Sequence, residues 1–350
     1  MSFKQIYSVW FLGFLFSLSF LYASEPVKPV TPGSSPEAVS LLQYLYSISG
    51  NHILTGQHCV PLVGSTRLAG VHKQTGKYPA LFGQDFGFSE PGTWDGINYR
   101  QQIVDEAILR NSEGFIITIM WHAVRPIEEE PVDFNESIQG KLTEQEWEDL
   151  ITPGTEINER WKSQVDVIAF FLKQLRNAHV PVLWRPYHEM NGGWFWWGKK
   201  GENGYKKLYR MLYDRLVNFH KLNNLIWVFN ANEVKGNVDS YDTYYPGDDV
   251  VDILATDVYT EGFNLENYEQ LLALAGEKPI ALGEVGTVPS LEILRSQPRW
   301  IWFMSWGEAF GGFSGSKALN EIYESDEALT LDELPWVNLS QPKIHYPILK

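Results

Sequence analysis

The chain has 350 residues, 44% of them hydrophobic and 20% charged, a balance that excludes both a disordered chain and a multi-span membrane protein. Its 43 acidic against 28 basic residues give a formal net charge of −15, which repels phosphate backbones and excludes a general nucleic-acid binder. A single cysteine, Cys59, excludes an intramolecular disulfide and a multi-cysteine metal cluster, while 14 Trp, 17 Tyr and 19 Phe are a hint of flat binding surfaces.

The first predicted element is a targeting segment. Residues 1–23 carry one charge, Lys4, then an apolar run over 9–22 and the small residue Ala23, before polar Ser24, Glu25 and Pro26. That is the layout of a secretory signal peptide, and the run is short of the roughly 20 apolar residues a spanning helix needs. The expectation is a secreted or periplasmic protein without membrane contact once the segment is removed. Residues 24–37, rich in Pro, Ser and Gly, read as a linker.

Eight β-rich apolar runs follow, at 52–56, 79–83, 115–121, 180–184, 225–229, 251–255, 279–282 and 300–305. Several are almost continuously apolar, as parallel strands buried on both faces are. Amphipathic stretches lie between them. The clearest, 157–178, puts Trp161, Val165, Ile168, Phe171, Leu172 and Leu175 on one helical face. Strand then helix, repeated over about 300 residues, predicts an α/β fold of the (β/α)₈ TIM-barrel type, one catalytic domain over 38–330. A doubly wound open sheet is the rival, but the glycine-rich phosphate turn it needs after its first strand is missing. The acidic segment 127–156 is too long for a simple connection and reads as an elaborated loop on the active face. Residues 331–350 are too short to fold alone and are expected to pack on the barrel or trail from it.

Such a barrel places its chemistry at the C-terminal ends of the strands. Those ends carry Gln57 and His58, Asp85, Trp121 and His122, Arg185 to Glu189, Asn230, Asp257 to Tyr259, Glu284, and Trp306. Carboxylates, imidazoles and indoles without metal-ligand spacing are the inventory of a sugar-cleaving site. Glycoside hydrolysis commonly uses two carboxyl groups, one protonated and one ionised, about 5–5.5 Å apart for retention and about 6.5–9.5 Å for inversion. Glu189 and Glu284, at the ends of the fourth and seventh strands, can face each other across the barrel mouth. His188-Glu189 also opens like a zinc-protease helix, but that motif needs a second histidine four residues on, where Gly192 stands.

The stretch Trp184-Arg185-Pro186-Tyr187-His188-Glu189-Met190-Asn191-Gly192-Gly193-Trp194-Phe195-Trp196-Trp197-Gly198 resembles the acid/base signature of glycoside hydrolase family 26, whose members are chiefly endo-β-1,4-mannanases. The resemblance implies a retaining (β/α)₈ glycosidase with Glu189 as acid/base and Glu284, within Ala281-Leu282-Gly283-Glu284-Val285-Gly286, as nucleophile. It further implies His188 near the nucleophile or the sugar, Trp194 flanking the leaving-group side, and Tyr259 hydrogen-bonded to the nucleophile. His122 matches a histidine binding the non-reducing-side sugar, and Trp306 a tryptophan forming the floor of the cleavage subsite. Trp121 belongs equally to site or core, and one of Trp196 and Trp197 lines the site while the other packs. Arg185 sits under the carboxylates, keeping Glu284 ionised, or only bridges inside the barrel. Aromatic surroundings such as Trp194 supply Glu189 with a raised pKa by excluding water. Asp85 and Gln57 are weighed evenly between site and scaffold. The implied partner is a β-mannan (mannan, galactomannan or glucomannan cut at internal bonds), and the protein is expected to act as a monomer with no cofactor or metal. Mixed-linkage β-1,3-1,4-glucanase, β-1,3-xylanase and a non-catalytic glycan-binding barrel stay open as alternatives.

Overall fold

A computed structural model describes residues 27–59, 66–87, 97–259, 263–306 and 315–337; the segment 1–23, read from the sequence as a signal peptide, lies outside the described residues. Eight parallel strands form the core: β1 (Ile53–His58), β2 (Leu81–Asp85), β3 (Ile116–Trp121) and β4 (Val182–Pro186), then β5 (Leu225–Asn232), β6 (Ile253–Val258), β7 (Ile280–Val285) and β8 (Trp300–Ser305). Each pairs with its sequence neighbour, and β1 pairs with both β2 and β8, so the sheet closes into a (β/α)₈ barrel. Almost every strand residue is buried, because side chains alternate between the barrel interior and the surrounding helices.

The helices are α1 (Pro36–Ile48), α2 (Thr66–Thr75), α3 (Arg100–Ser112), α4 (Glu144–Ile151), α5 (Glu156–Asn177), α6 (Gly201–Tyr213), α7 (Leu265–Ala275), α8 (Leu291–Ser296) and α9 (Gly315–Tyr323). α5 is the amphipathic stretch read from the sequence. Thr155 caps it by accepting from Asn158 N at 3.2 Å, and Trp161, Val165, Ile168, Leu172 and Leu175 are buried while Phe171 is half-buried. Among the described residues no helix is long and apolar enough to cross a membrane.

The strands extend two or three residues beyond most of the predicted runs at their C-terminal ends. Gln57, His58, Gln84, Asp85, Arg185, Asn230, Asp257 and Glu284 are polar residues within strands rather than after them. The segment read as a linker is fastened to the barrel. Val30 N donates to Asp252 Oδ1 at 2.7 Å, Tyr213 donates to Val30 O at 2.9 Å, and Thr31 is buried. Its Ser-Pro pair is a helix start: Ser35 accepts from Ala38 N at 3.2 Å and Pro36 opens α1. The described part of the C-terminal segment packs on the barrel. The two-residue strand β9 (Ala328–Leu329) pairs with β1, and Trp336 Nε1 donates to Gly114 O at 2.8 Å. Residues 338–350 lie outside the described residues.

Segment 127–156 folds into a π-helical turn, Phe134–Ile138, and α4, whose first turn is closed by a Thr143–Glu146 capping box. It sits at the barrel mouth: Trp196 N donates to Ile138 O at 3.0 Å, and Lys141 Nζ donates to Gly193 O.

Candidate active site

The centre of the site is built on β4. Asp85, Met120 and Arg185 lie level across β2, β3 and β4, so all three point to the same side of the sheet. Arg185 is completely buried and donates from Nε to Asn230 Oδ1 at 2.8 Å and from Nη2 to Glu284 Oε1 at 2.9 Å, with Asp257 Oδ1 3.4 Å away. It therefore lies beneath Glu284, the first of the two places the sequence offered it, and supports that carboxyl group from the barrel interior without lining the open cleft. The second oxygen of Glu284, Oε2, accepts from the hydroxyl of Tyr259.

Beyond β4 the chain turns sharply. Tyr187 and Glu189 have φ of 49° and 54°, in the left-handed region that costs side-chain-bearing residues about 1–3 kcal/mol each. Hydrogen bonds hold the turn: Glu189 N to Asn230 O at 2.8 Å, Trp197 Nε1 to His188 O at 2.7 Å and Tyr205 hydroxyl to Tyr187 O at 3.2 Å. The result is a Glu189 side chain facing Glu284 from another strand end. Burial, then the negative charge of Glu284, pushes the Glu189 carboxyl up to about 8. Trp194 works against this, because its indole N–H donates to Glu189 Oε2 at 2.5 Å and favours the ionised form. Exclusion of water does raise this group, as expected, and the charge of Glu284 adds to it; what the expectation lacked is the Trp194 N–H bond, which moderates the rise.

The imidazoles divide. His188 Nε2 is 4.0 Å from Glu284 Oε1, and burial together with the charge of His122 drives its pKa well below the usual imidazole value. His122 goes the other way. Burial opposes its charge, but Asp85, which accepts from Nδ1, holds it above the ordinary value. His122 and His188 meet edge to face, centroids 4.5 Å apart. Trp306 stacks on His58 with centroids 4.0 Å apart and planes 26° from parallel, so His58 backs the indole from one side.

The aromatic readings resolve toward the scaffold: Trp121, open between site and core, is core, and the expectation that one of Trp196 and Trp197 lines the site is corrected. Trp121 is 1% exposed and packs on Tyr187, whose hydroxyl accepts from Trp161 of α5 at 2.9 Å. It is core because it alternates with His122, which faces the site. Trp196 and Trp197 are both fully buried, with their N–H groups donated to Ala123 O and His188 O, so both scaffold the turn and neither lines the cleft. Asp85, left undecided by the sequence, joins the site through His122. Gln57 is buried with its amide donated to His58 O at 2.8 Å and Ser305 O at 3.1 Å. Asn230 and Asp257 were named only as strand ends, and their signal was the same inward position as Arg185. Burial, then the charge of Glu284, pushes the Asp257 carboxyl well above the carboxylate range.

His188, Asp257 and Glu284 offer ligand atoms within 4.8 Å of one another. The Arg185 guanidinium already touches both carboxyl groups and supplies the positive charge a cation would bring.

Residues 30–332 match the model of glycosyl hydrolase family 26. The mannan endo-1,4-beta-mannosidase of Thermothelomyces thermophilus is 38% identical over 87% of this chain and 62% of its own length, and mannan endo-1,4-beta-mannosidase A of Piromyces sp. is 32% identical over 89% and 51%. The chain thus spans about half to three-fifths of these curated relatives. The solved structure of GH26A from Muricauda sp. is 44% identical, with a TM-score of 0.83 over 87% of this chain and 99% of that one. A closed eight-stranded barrel, two facing carboxyl groups in opposed surroundings and a match over 30–332 lead to one conclusion: the chain belongs to glycosyl hydrolase family 26.

Proposed function

We propose that this protein is a retaining glycoside hydrolase that cleaves internal β-1,4-mannosidic bonds of a β-mannan. The observation that carries the reading is the contrast between its two carboxyl groups. Glu189 is buried and pushed up to about 8, so it holds a proton at neutral pH. Glu284 accepts from Arg185 and Tyr259 and faces it as the carboxylate. Glu284 attacks the anomeric carbon while the glycosidic C–O bond breaks and the Glu189 proton passes to the departing oxygen. Water then gives its proton to Glu189, its oxygen bonds to the anomeric carbon, and the bond to Glu284 breaks. Trp194, half-buried beside Glu189, offers an indole face to a sugar on the leaving-group side. Trp306 forms the floor under the sugar at the cleavage point, and His122 serves the sugar on the non-reducing side of the scissile bond. The choice of mannan is supported by the names of the relatives above. Residues 1–23 are proposed to direct export.

The test is reducing-sugar release by the chain lacking residues 1–23 on a β-mannan, a galactomannan, a mixed-linkage β-glucan and a β-1,3-xylan, with NMR of the first-formed anomer. Release from the mannans with retained configuration is the expected result, abolished in Glu284→Ala. Release only from glucan or xylan keeps the mechanism and overturns the substrate. No release from any glycan by folded protein moves the reading to a binding protein.

A further inference from the structure

Asp85 is fully buried at the end of β2, and three bonds converge on its carboxylate. Oδ1 accepts from Gly87 N at 2.7 Å and from His122 N at 3.2 Å, and Oδ2 accepts from His122 Nδ1. The same turn closes on His122 from its backbone side. A methyl group built on Gly87 falls 2.0 Å from the carbonyl oxygen of His122, so only glycine lets the two segments lie this close. One carboxylate therefore fixes both the main chain and the ring of His122.

The charged and titratable groups around that ring come from four other places in the barrel: His58 on β1, Asp85 on β2, His188 and Glu189 beyond β4, and Glu284 on β7. Of these, Asp85 is hydrogen-bonded to the ring at Nδ1. With Nδ1–H committed to Asp85, the imidazole keeps one tautomer when neutral and becomes a fixed cation when protonated. Either state orients Nε2 without rotation of the ring. His188, whose ring meets that of His122 edge to face, is driven the other way, well below the usual imidazole value, by burial and by the His122 charge.

We propose that Asp85 is a positioning residue of the glycan site, which acts through His122 by fixing it as an oriented imidazolium, its Nε2–H a donor to a hydroxyl of the sugar on the non-reducing side of the scissile bond. This rests on the glycosidase reading above. The proposal separates the two acids that contact histidines at the barrel mouth. Glu284 is there to react, and Asp85 is there to hold a donor in place before substrate arrives.

The experiment uses chain labelled with ¹³C and ¹⁵N in histidine, with the His122 signals assigned by their loss in His122→Gln. In the wild-type chain, His122 is expected to titrate above 6.5, its ordinary value. In Asp85→Asn its midpoint is expected to fall by at least about one pH unit. On β-mannan, Asp85→Asn is expected to lower kcat/KM about 10- to 100-fold, the effect of losing one charge-assisted hydrogen bond. In the His122→Ala background, Asp85→Asn is expected to cost nothing further. An unmoved midpoint in Asp85→Asn, or a further tenfold loss in the double variant, overturns the proposal. If Asp85→Asn does not fold, a wild-type midpoint at or below 6.5 overturns it and one above 6.5 supports it. The titration needs no turnover. A wild-type chain inactive on every glycan, with a midpoint that still falls in Asp85→Asn, removes the glycosidase reading and leaves the Asp85–His122 coupling standing.

Discussion

Trp194 donates its indole N–H to Oε2 of Glu189 at 2.5 Å, across five residues of a turn held in a left-handed conformation at Glu189. The bond favours the ionised carboxylate, so it opposes the burial and the Glu284 charge that keep Glu189 protonated. Trp194→Phe keeps a ring and removes the donor. The basic limb of kcat/KM against pH, which reports loss of the Glu189 proton, is then expected to move upward by about one unit. A downward move would mean that the indole acts by excluding water after all.

The raised Glu189 also links activity to stability. In the folded state this group titrates near 8, against its ordinary 4.5. Between those values the folded chain binds the proton more tightly than the unfolded chain does. Stability contributed by the group is full below about pH 4.5 and is lost as pH rises toward 8. Glu189→Gln mimics the protonated acid at all pH values. It should therefore have a higher denaturant midpoint than wild type at pH 8.5 and a similar one at pH 4, while losing turnover. Equal midpoints at both pH values would remove burial as the cause of the shift.

Much of this was legible in the sequence. Eight apolar runs located the strands, because a strand buried on both faces has no room for polar residues along most of its length. Six of the eight runs ended early, where the barrel interior becomes the site, while those of β3 and β8 ended with their strands. Arg185, Asn230, Asp257 and Glu284 are still in strand geometry, but their polarity hides it. The motif around Glu189 located one carboxyl and the short Gly283-Glu284 segment the other. Their supports were harder to find. Asp85 lies 37 residues from His122, and no spacing rule joins an acid on β2 to an imidazole after β3. Trp121 and His122 are chain neighbours with opposite fates, which only the strand's alternation decides. Pro, Ser and Gly before α1 have the composition of a linker, and the Asp252 carboxylate that fastens Val30 is 222 residues away.

Arg185 carries a fully buried charge in the site. It bridges Asn230, Glu284 and Asp257 with no exposure to solvent. Removing one member of a buried charge group strands the others, at a cost of about 3–5 kcal/mol. Arg185→Met is expected to lose stability of that order in denaturant unfolding and to lower kcat/KM. Arg185→Lys keeps the charge but has no planar fork to reach Asn230 and Glu284 together, so it should fall between the two. Wild-type stability in Arg185→Met would mean that the bridge contributes nothing.

Gly283 makes this cluster possible. A Cβ there would lie 1.8 Å from Asn230 Oδ1 and 2.7 Å from Asp257 Oδ1, and the β6–β7 register shifts at this point, pairing Thr256 with Leu282 and Asp257 with Glu284. The residue before Glu284 is glycine because the interior is filled by the amide that orients Arg185. Gly283→Ala must push Asn230 aside, and overpacking of this kind costs about 1–3 kcal/mol. Since Asn230 Oδ1 accepts from Arg185 Nε at 2.8 Å, the displacement should also lower kcat/KM. Adding Asn230→Ala removes the closer of the two clashes, leaving the one with Asp257 Oδ1, and does not restore the acceptor. The double variant is therefore expected to regain stability relative to Gly283→Ala while its kcat/KM stays low. Recovery of kcat/KM along with stability would mean that Asn230 has no part in holding Arg185 beneath Glu284.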